Sequence, residues 1–140
     1  VIFAVAMRTT SDVEFAFYKN YFDKATIKKN VLDDFTSYKL AAQSNLIVGL
    51  NSTILSEILP WRKKVLWCNP LKDKVFKIEL DKFYFEGNNY YDFEKRVNFL
   101  VNNEIKSFDS EFSYSNYINH FDKKNLSHEI IKKYILENLK

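Results

Sequence analysis

The chain is short of the residues that usually punctuate a fold: 140 residues hold two Gly, two Pro and one Cys. With so few Gly and Pro, turns fall to Asn, Asp and Ser, whose short polar side chains hydrogen-bond the local backbone. The single cysteine, Cys68, excludes an internal disulfide framework and fits a reducing compartment. It follows an apolar run and reads as a small core hydrophobe rather than a nucleophile. The two histidines, His120 and His128, stand apart from any Cys/His spacing, so no metal site is expected. No apolar run approaches the roughly 20 residues of a bilayer crossing, and no transmembrane segment is expected. Charge of one sign is also missing. Twenty-one Lys and Arg face 18 Asp and Glu for a net charge of +3, and the basic residues are scattered, which argues against nucleic acid as a partner.

What the chain does have is apolar and aromatic mass. Hydrophobic residues make up 46%, with 13 Phe, nine Tyr and two Trp, enough for one ordinary core at this length. The expectation is a single domain over residues 1–140. Because the chain opens on Val1, with neither an initiator Met nor a charged leader, it reads as part of a longer protein.

The apolar runs set the order of elements. Val1 to Met7 reads as a strand buried on both faces. Thr9 to Asp12 offers cap chemistry, and Val13, Ala16, Phe17 and Tyr21 recur at helical spacing over about residues 12–22. A second helix follows from Asp33 and Asp34, with Phe35, Tyr38 and Ala42 on one stripe, ending near Gln43 to Asn45. Leu46 to Leu50 is a second buried strand. Ile54, Leu55, Ile58 and Leu59 then form a helix that Pro60 stops, and Lys64 to Trp67 is a third strand. Residues 74–85 suit an edge strand or ordered loop closed by Glu86 to Asn89. A helix from Tyr91 or Asp92 follows, with Phe93, Val97, Leu100 and Val101 on one face, and Ser127 caps a last one. Strands alternating with helices predict an α/β fold: a Rossmann-like, mainly parallel central sheet of four or five strands with helices on both faces, crossed by the C-terminal helix.

In such a sheet ligands bind beyond the carboxyl ends of the strands. The loop from Gly49 to Thr53 lies at such an end and opens a helix, whose first N–H groups favour an anion. In the turn that begins at Asn51, the Ser52 and Thr53 hydroxyls can add donors to a phosphate. Glu57, four residues after Thr53, projects from the same helix face toward ribose hydroxyls. Arg8, at the end of the first strand, is a further candidate for neutralising a diphosphate. The plain alternative is that Ser52 and Thr53 cap the helix and Glu57 complements its dipole. Taking Thr53 as N-cap puts Ser56 rather than Glu57 at N3, so no reciprocal capping box forms.

A buried strand, then Asn51-Ser52-Thr53 with Glu57, then Lys63 to Trp67 as a basic turn and second strand, resembles the donor-binding domain of GT-B glycosyltransferases. More narrowly the chain is similar to bacterial surface-carbohydrate (O-antigen and capsule, lipopolysaccharide) biosynthesis proteins, which carry Ser-Tyr-Lys before the strand. Ser37-Tyr38-Lys39 matches in order and spacing. The resemblance covers about residues 1–103. It implies the carboxyl-terminal half of a GT-B protein binding a nucleotide-activated sugar at Arg8, Asn51, Ser52, Thr53 and Glu57. It further implies a glycan acceptor held by a separate amino-terminal domain, no metal cofactor, and a cytoplasmic location reaching the inner face of the inner membrane. Sialyl- and Kdo-type transferases of that superfamily set a Ser-Ser or Ser-Thr pair on the phosphate of a CMP-sugar, which Ser52-Thr53 resembles. Their His-Pro dipeptide is absent here, so UDP- and GDP-sugars stay open. The chain also departs in having Pro60-Trp61-Arg62 where many relatives carry a glycine turn. Two other readings stand beside the transferase: a sugar-nucleotide epimerase, and a non-catalytic interaction module.

Overall fold

Parallel strands cannot be joined by a tight hairpin and need a crossover, usually a helix. Every strand pair described in this protein is parallel. The structure is a computed structural model that describes residues 4–7, 11–22, 26–28, 35–50, 52–72, 74 and 79–113. The chain divides into two units, Val1–Asn45 and Leu46–Lys140.

In the first unit β1 (Ala4–Ala6) pairs with β2 (Thr26–Lys28) in the register Ala4↔Thr26, Val5↔Ile27, Ala6↔Lys28. The Met7 N–H bonds Lys28 O at 3.0 Å and extends the ladder one step. The crossover is α1 (Asp12–Tyr21). Ser11 caps it by accepting from the Glu14 N–H at 3.4 Å, and Asp12 and Glu14 complement its positive start. The apolar stripe predicted for this helix is exposed: α1 buries no side chain, and Val13, Phe17 and Tyr21 are 81%, 55% and 70% exposed. Likewise Ala4 and Ala6 are exposed, so β1 is not buried on both faces. A two-stranded ribbon of three-residue strands has too little area to cover either side. β2 was not legible in the sequence, since Thr-Ile-Lys is too short to show alternation. α2 (Thr36–Gln43) packs against β1 and buries Thr36 and Ala41; the predicted start at Asp33 and Asp34 lies outside the described residues.

The second unit holds a three-stranded sheet of β3 (Leu46–Gly49), β4 (Lys64–Asn69) and β5 (Tyr84–Glu86), in that order. The parallel α/β class is therefore as the sequence indicated. Its five described strands, however, form sheets of two and three rather than one central sheet. β4 lies in the middle and is buried at all but Trp67, and it runs two residues beyond the predicted end. Between β3 and β4 stand α3 (Thr53–Ile58) and a 3-10 turn, Leu59–Trp61. α3 covers the face on which Gly49 lies: a Cβ there would sit 3.1 Å from Leu55 Cδ1. Leu55, Ile58 and Leu59 are buried as expected, and Arg62 takes the left-handed φ of 57° in which glycine is the usual residue.

The opposite face carries α4 (Tyr90–Asn102). Phe85 of β5 meets Phe93 of α4 edge to face at 5.7 Å. Lys64 of β4 is buried and reaches the far end of the helix, where its Nζ donates to Leu100 O at 2.6 Å and Asn103 O at 3.1 Å. A cation there complements the helix dipole and satisfies orphan carbonyls, while burial lowers the Lys64 pKa below its ordinary value. Leu100 is buried, but Val101, expected on the same face, is exposed. A 3-10 turn, Ile105–Phe108, and helical residues 109–113 complete the core, with Phe108 and Phe112 packing on Phe83 at 5.3 and 5.5 Å. All three rings are 0–2% exposed, and burying each stabilises by roughly 1.5–3 kcal/mol. This segment carried no core signal in sequence, because its aromatics are spaced among charges. The predicted helix after Ser127 lies outside the described residues, and no helix among those described is long and apolar enough to cross a membrane.

Candidate functional site

The carboxyl ends of β3, β4 and β5 lie along one edge of the sheet, and two β-to-α junctions open from it. The first is the one the sequence singles out. β3 ends at Gly49, and Ser52 takes the N-cap place of α3 with extended backbone (φ −110°, ψ 127°). A serine so placed ordinarily accepts a bond from the first-turn N–H groups. Ser52 makes no such side-chain bond, whereas Ser11 caps α1 and Asn89 caps α4. Its carbonyl accepts from the Leu55 N–H at 3.1 Å. Thr53 and Glu57 are exposed one turn apart on α3, and the Ser56 hydroxyl folds back on Thr53 O at 2.7 Å. The structure thus places Ser52 and Thr53 at this edge and Glu57 exposed one turn further along α3, while Asn51 and Arg8 lie outside the described residues. Ser37, Tyr38 and Lys39 fall in the first turns of α2.

The second junction lies outside the site predicted from sequence. β5 ends at Glu86, Gly87 turns at φ 117°, and Asn89 opens α4 by accepting from the Tyr91 N–H at 2.9 Å and the Asp92 N–H at 3.2 Å. Between this junction and the strand ends lies a groove of about 360 Å³. Its floor is Val48 and Leu50 after β3, Cys68 and Pro70 after β4, and Phe85. Its other wall is the turn Gly87 to Tyr90 with Phe93. The signal that could have found it was present: Glu86-Gly87-Asn88-Asn89 repeats the strand, turn and helix-start grammar of Gly49 to Thr53.

Period-2 alternation decides which side chains line the groove. Val48, Cys68 and Phe85 point to the α4 face, so Asn69, Tyr84 and Glu86 point to the other. There Asn69 Nδ2 donates to the Tyr84 hydroxyl at 2.9 Å, which donates to Glu86 Oε1 at 3.2 Å. Burial and the neighbouring Glu86 carboxylate raise the Tyr84 pKa, the Asn69 bond opposing them. The Cys68 thiol is buried, and desolvation pushes it up to about 11, so it is a protonated core group at neutral pH. His120 and His128 lie outside the described residues, and among those described no three His, Cys, Asp or Glu side chains converge as a metal site would require.

Comparison with protein-family models, with curated proteins and with solved structures found no match.

Proposed function

We propose that this chain is the donor-binding domain of a GT-B-type glycosyltransferase of surface-polysaccharide biosynthesis, holding a nucleotide-activated sugar at the carboxyl edge of β3–β4–β5. The observation that supports the reading is the Ser52 hydroxyl, which stands in a capping position without capping. Ser52 and Thr53 are assigned to phosphate and Glu57 to ribose, Ser52 and Thr53 being exposed at the start of α3 and Glu57 exposed one turn further along it. The acceptor glycan belongs to a second domain, and the sugar transferred is CMP-, UDP- or GDP-linked.

Calorimetry with CMP, UDP and GDP tests this. Losing one hydrogen bond to a charged group costs about 1.5–3 kcal/mol, so Thr53→Ala should weaken nucleotide binding roughly 10- to 150-fold. Glu57→Gln should weaken nucleotides more than inorganic phosphate. Binding should survive a chelator, because hydroxyl and N–H donors meet the phosphate. Unchanged affinity in both variants returns these residues to ordinary helix-start roles.

A second reading, a non-catalytic interaction module, is favoured by α1, whose Val13, Phe17 and Tyr21 form an exposed stripe on a helix that buries nothing. It predicts no nucleotide binding, and a concentration-dependent mass in sedimentation that Phe17→Ser abolishes.

A further inference from the structure

We propose that α1 joins two copies of this chain: the helices pair antiparallel through Val13, Phe17 and Tyr21, and Asp12 of each copy meets the partner's Lys19. This rests on the exposed stripe of the interaction reading, adds to it the partner and the orientation, and holds whether or not the chain also binds nucleotide.

A helix that served only its own unit would be apolar on one side and polar on the other. α1 is apolar on two. It contacts β2, and Phe15 and Tyr18 are half-buried. Val13, Phe17 and Tyr21 lie roughly 130° round the helix from that pair, at about 100° per residue, and all three are exposed. The rings of Phe17 and Tyr21 already stand together, their centroids 4.8 Å apart. Covering them therefore orders little that is not ordered in the single copy.

The charges on α1 specify the occupant. Asp12 stands in its first turn and Lys19 in its last, both exposed. Seven residues apart, they share one flank of the stripe about 10 Å from each other along the axis. A two-fold axis across the helix lays that flank against itself reversed, so each Asp12 comes opposite the partner's Lys19. A parallel partner would set acid on acid and base on base. The midpoint of Asp12 and Lys19 falls about 2 Å along the axis from Phe17, the middle of the stripe, so one register serves rings and charges together. Ala16 and Asn20, small and exposed, lie between stripe and flank and let the backbones approach. A membrane surface fits less well, because it calls for an excess of Lys and Arg, whereas α1 has Asp12 and Glu14 against Lys19. The exposed parts of Val13, Phe17, Tyr21 and Phe22 come to on the order of 450 Å² per copy. Two copies bury less than the roughly 1,200 Å² of a stable specific dimer, so the pair is weak and reversible.

Sedimentation equilibrium of the chain from micromolar to millimolar concentration reads the association, with a far-ultraviolet spectrum for each variant. Wild type should approach twice the monomer mass. Phe17→Ser should raise the dimer Kd at least about tenfold, since a ring is lost from each side of the contact. Asp12→Lys and Lys19→Glu each make two attractive pairs repulsive, and each should raise it by at least roughly 2- to 30-fold, the loss of two exposed pairs. An equimolar mixture of those two variants restores both pairs and should recover wild-type association, which variants with an unfolded α1 would not. Wild-type association that Phe17→Ser abolishes and neither charge variant changes overturns the antiparallel pairing and leaves the interaction reading standing. Charge-sensitive dimers that also bind CMP, UDP or GDP support the pairing and overturn the non-catalytic reading. A wild type that stays monomeric, association that survives Phe17→Ser, or a mixture that fails to recover association overturns the proposal.

Discussion

Cys68 shows how a single residue can be legible in identity and illegible in consequence. Its place after an apolar run marked it as a core group, and it is buried at the end of β4. Only its surroundings fix its proton affinity. Desolvation raises the thiol from an ordinary 9.0 to about 11. A group whose folded pKa lies above its unfolded value contributes stability that is full below the unfolded pKa and is lost as pH rises through the folded one. The window is therefore pH 9 to 11, and the loss across it is roughly 2–3 kcal/mol. Lys64 acts with the opposite sign, since its lowered pKa makes stability rise with pH below 10.5. The difference between wild type and Cys68→Ala isolates the thiol. Urea unfolding at successive pH values should show that difference constant below about pH 8 and shrinking from 9 to 11. A difference independent of pH would mean the thiol is not desolvated. Ser52 is the converse case. Its type and position were legible, but that it leaves the first turn uncapped required the backbone geometry.

Helices are the elements on which sequence and structure agree most closely, because a 3.6-residue period and a cap are local properties. α1, α3 and α4 fall within a residue or two of their predicted starts. Short strands are less legible: β2 and β5 have three residues each, too few for a period to show. The two helix starts at the sheet edge give a direct test of what Ser52 does. Asn89 accepts from two amides, so Asn89→Ala should cost about 1 kcal/mol of stability, within the usual range for a lost N-cap. Ser52 makes no such bond, so Ser52→Ala should change stability by less than about 0.5 kcal/mol while weakening nucleotide binding. Equal losses in urea midpoint would mark Ser52 as a plain cap, and the phosphate assignment would lose its support.

At the scale of the whole molecule, stability is concentrated where burial is. Among the described residues of the first unit Met7, Thr36 and Ala41 are buried, whereas the second holds Val65, Leu66, Phe83, Leu100, Phe108 and Phe112. Amide exchange should accordingly be slowest in β4, at Val65 to Trp67, and fastest in α1, since local opening costs most where the core is dense. Comparable protection in the two would contradict this distribution. The sequence by itself determined the α/β class, the succession of β3, α3, β4 and α4, and the strand-to-helix junction after Gly49, because each rests on short-range patterns of apolar residues and turn chemistry. Tertiary structure alone decided that the described strands pair as sheets of two and three, that Phe108 and Phe112 belong to the core, and that the turn after β5 faces the ends of β3 and β4 across a groove. These depend on pairings between residues far apart in the chain, and the energy of such pairings lies in contacts that no local period encodes.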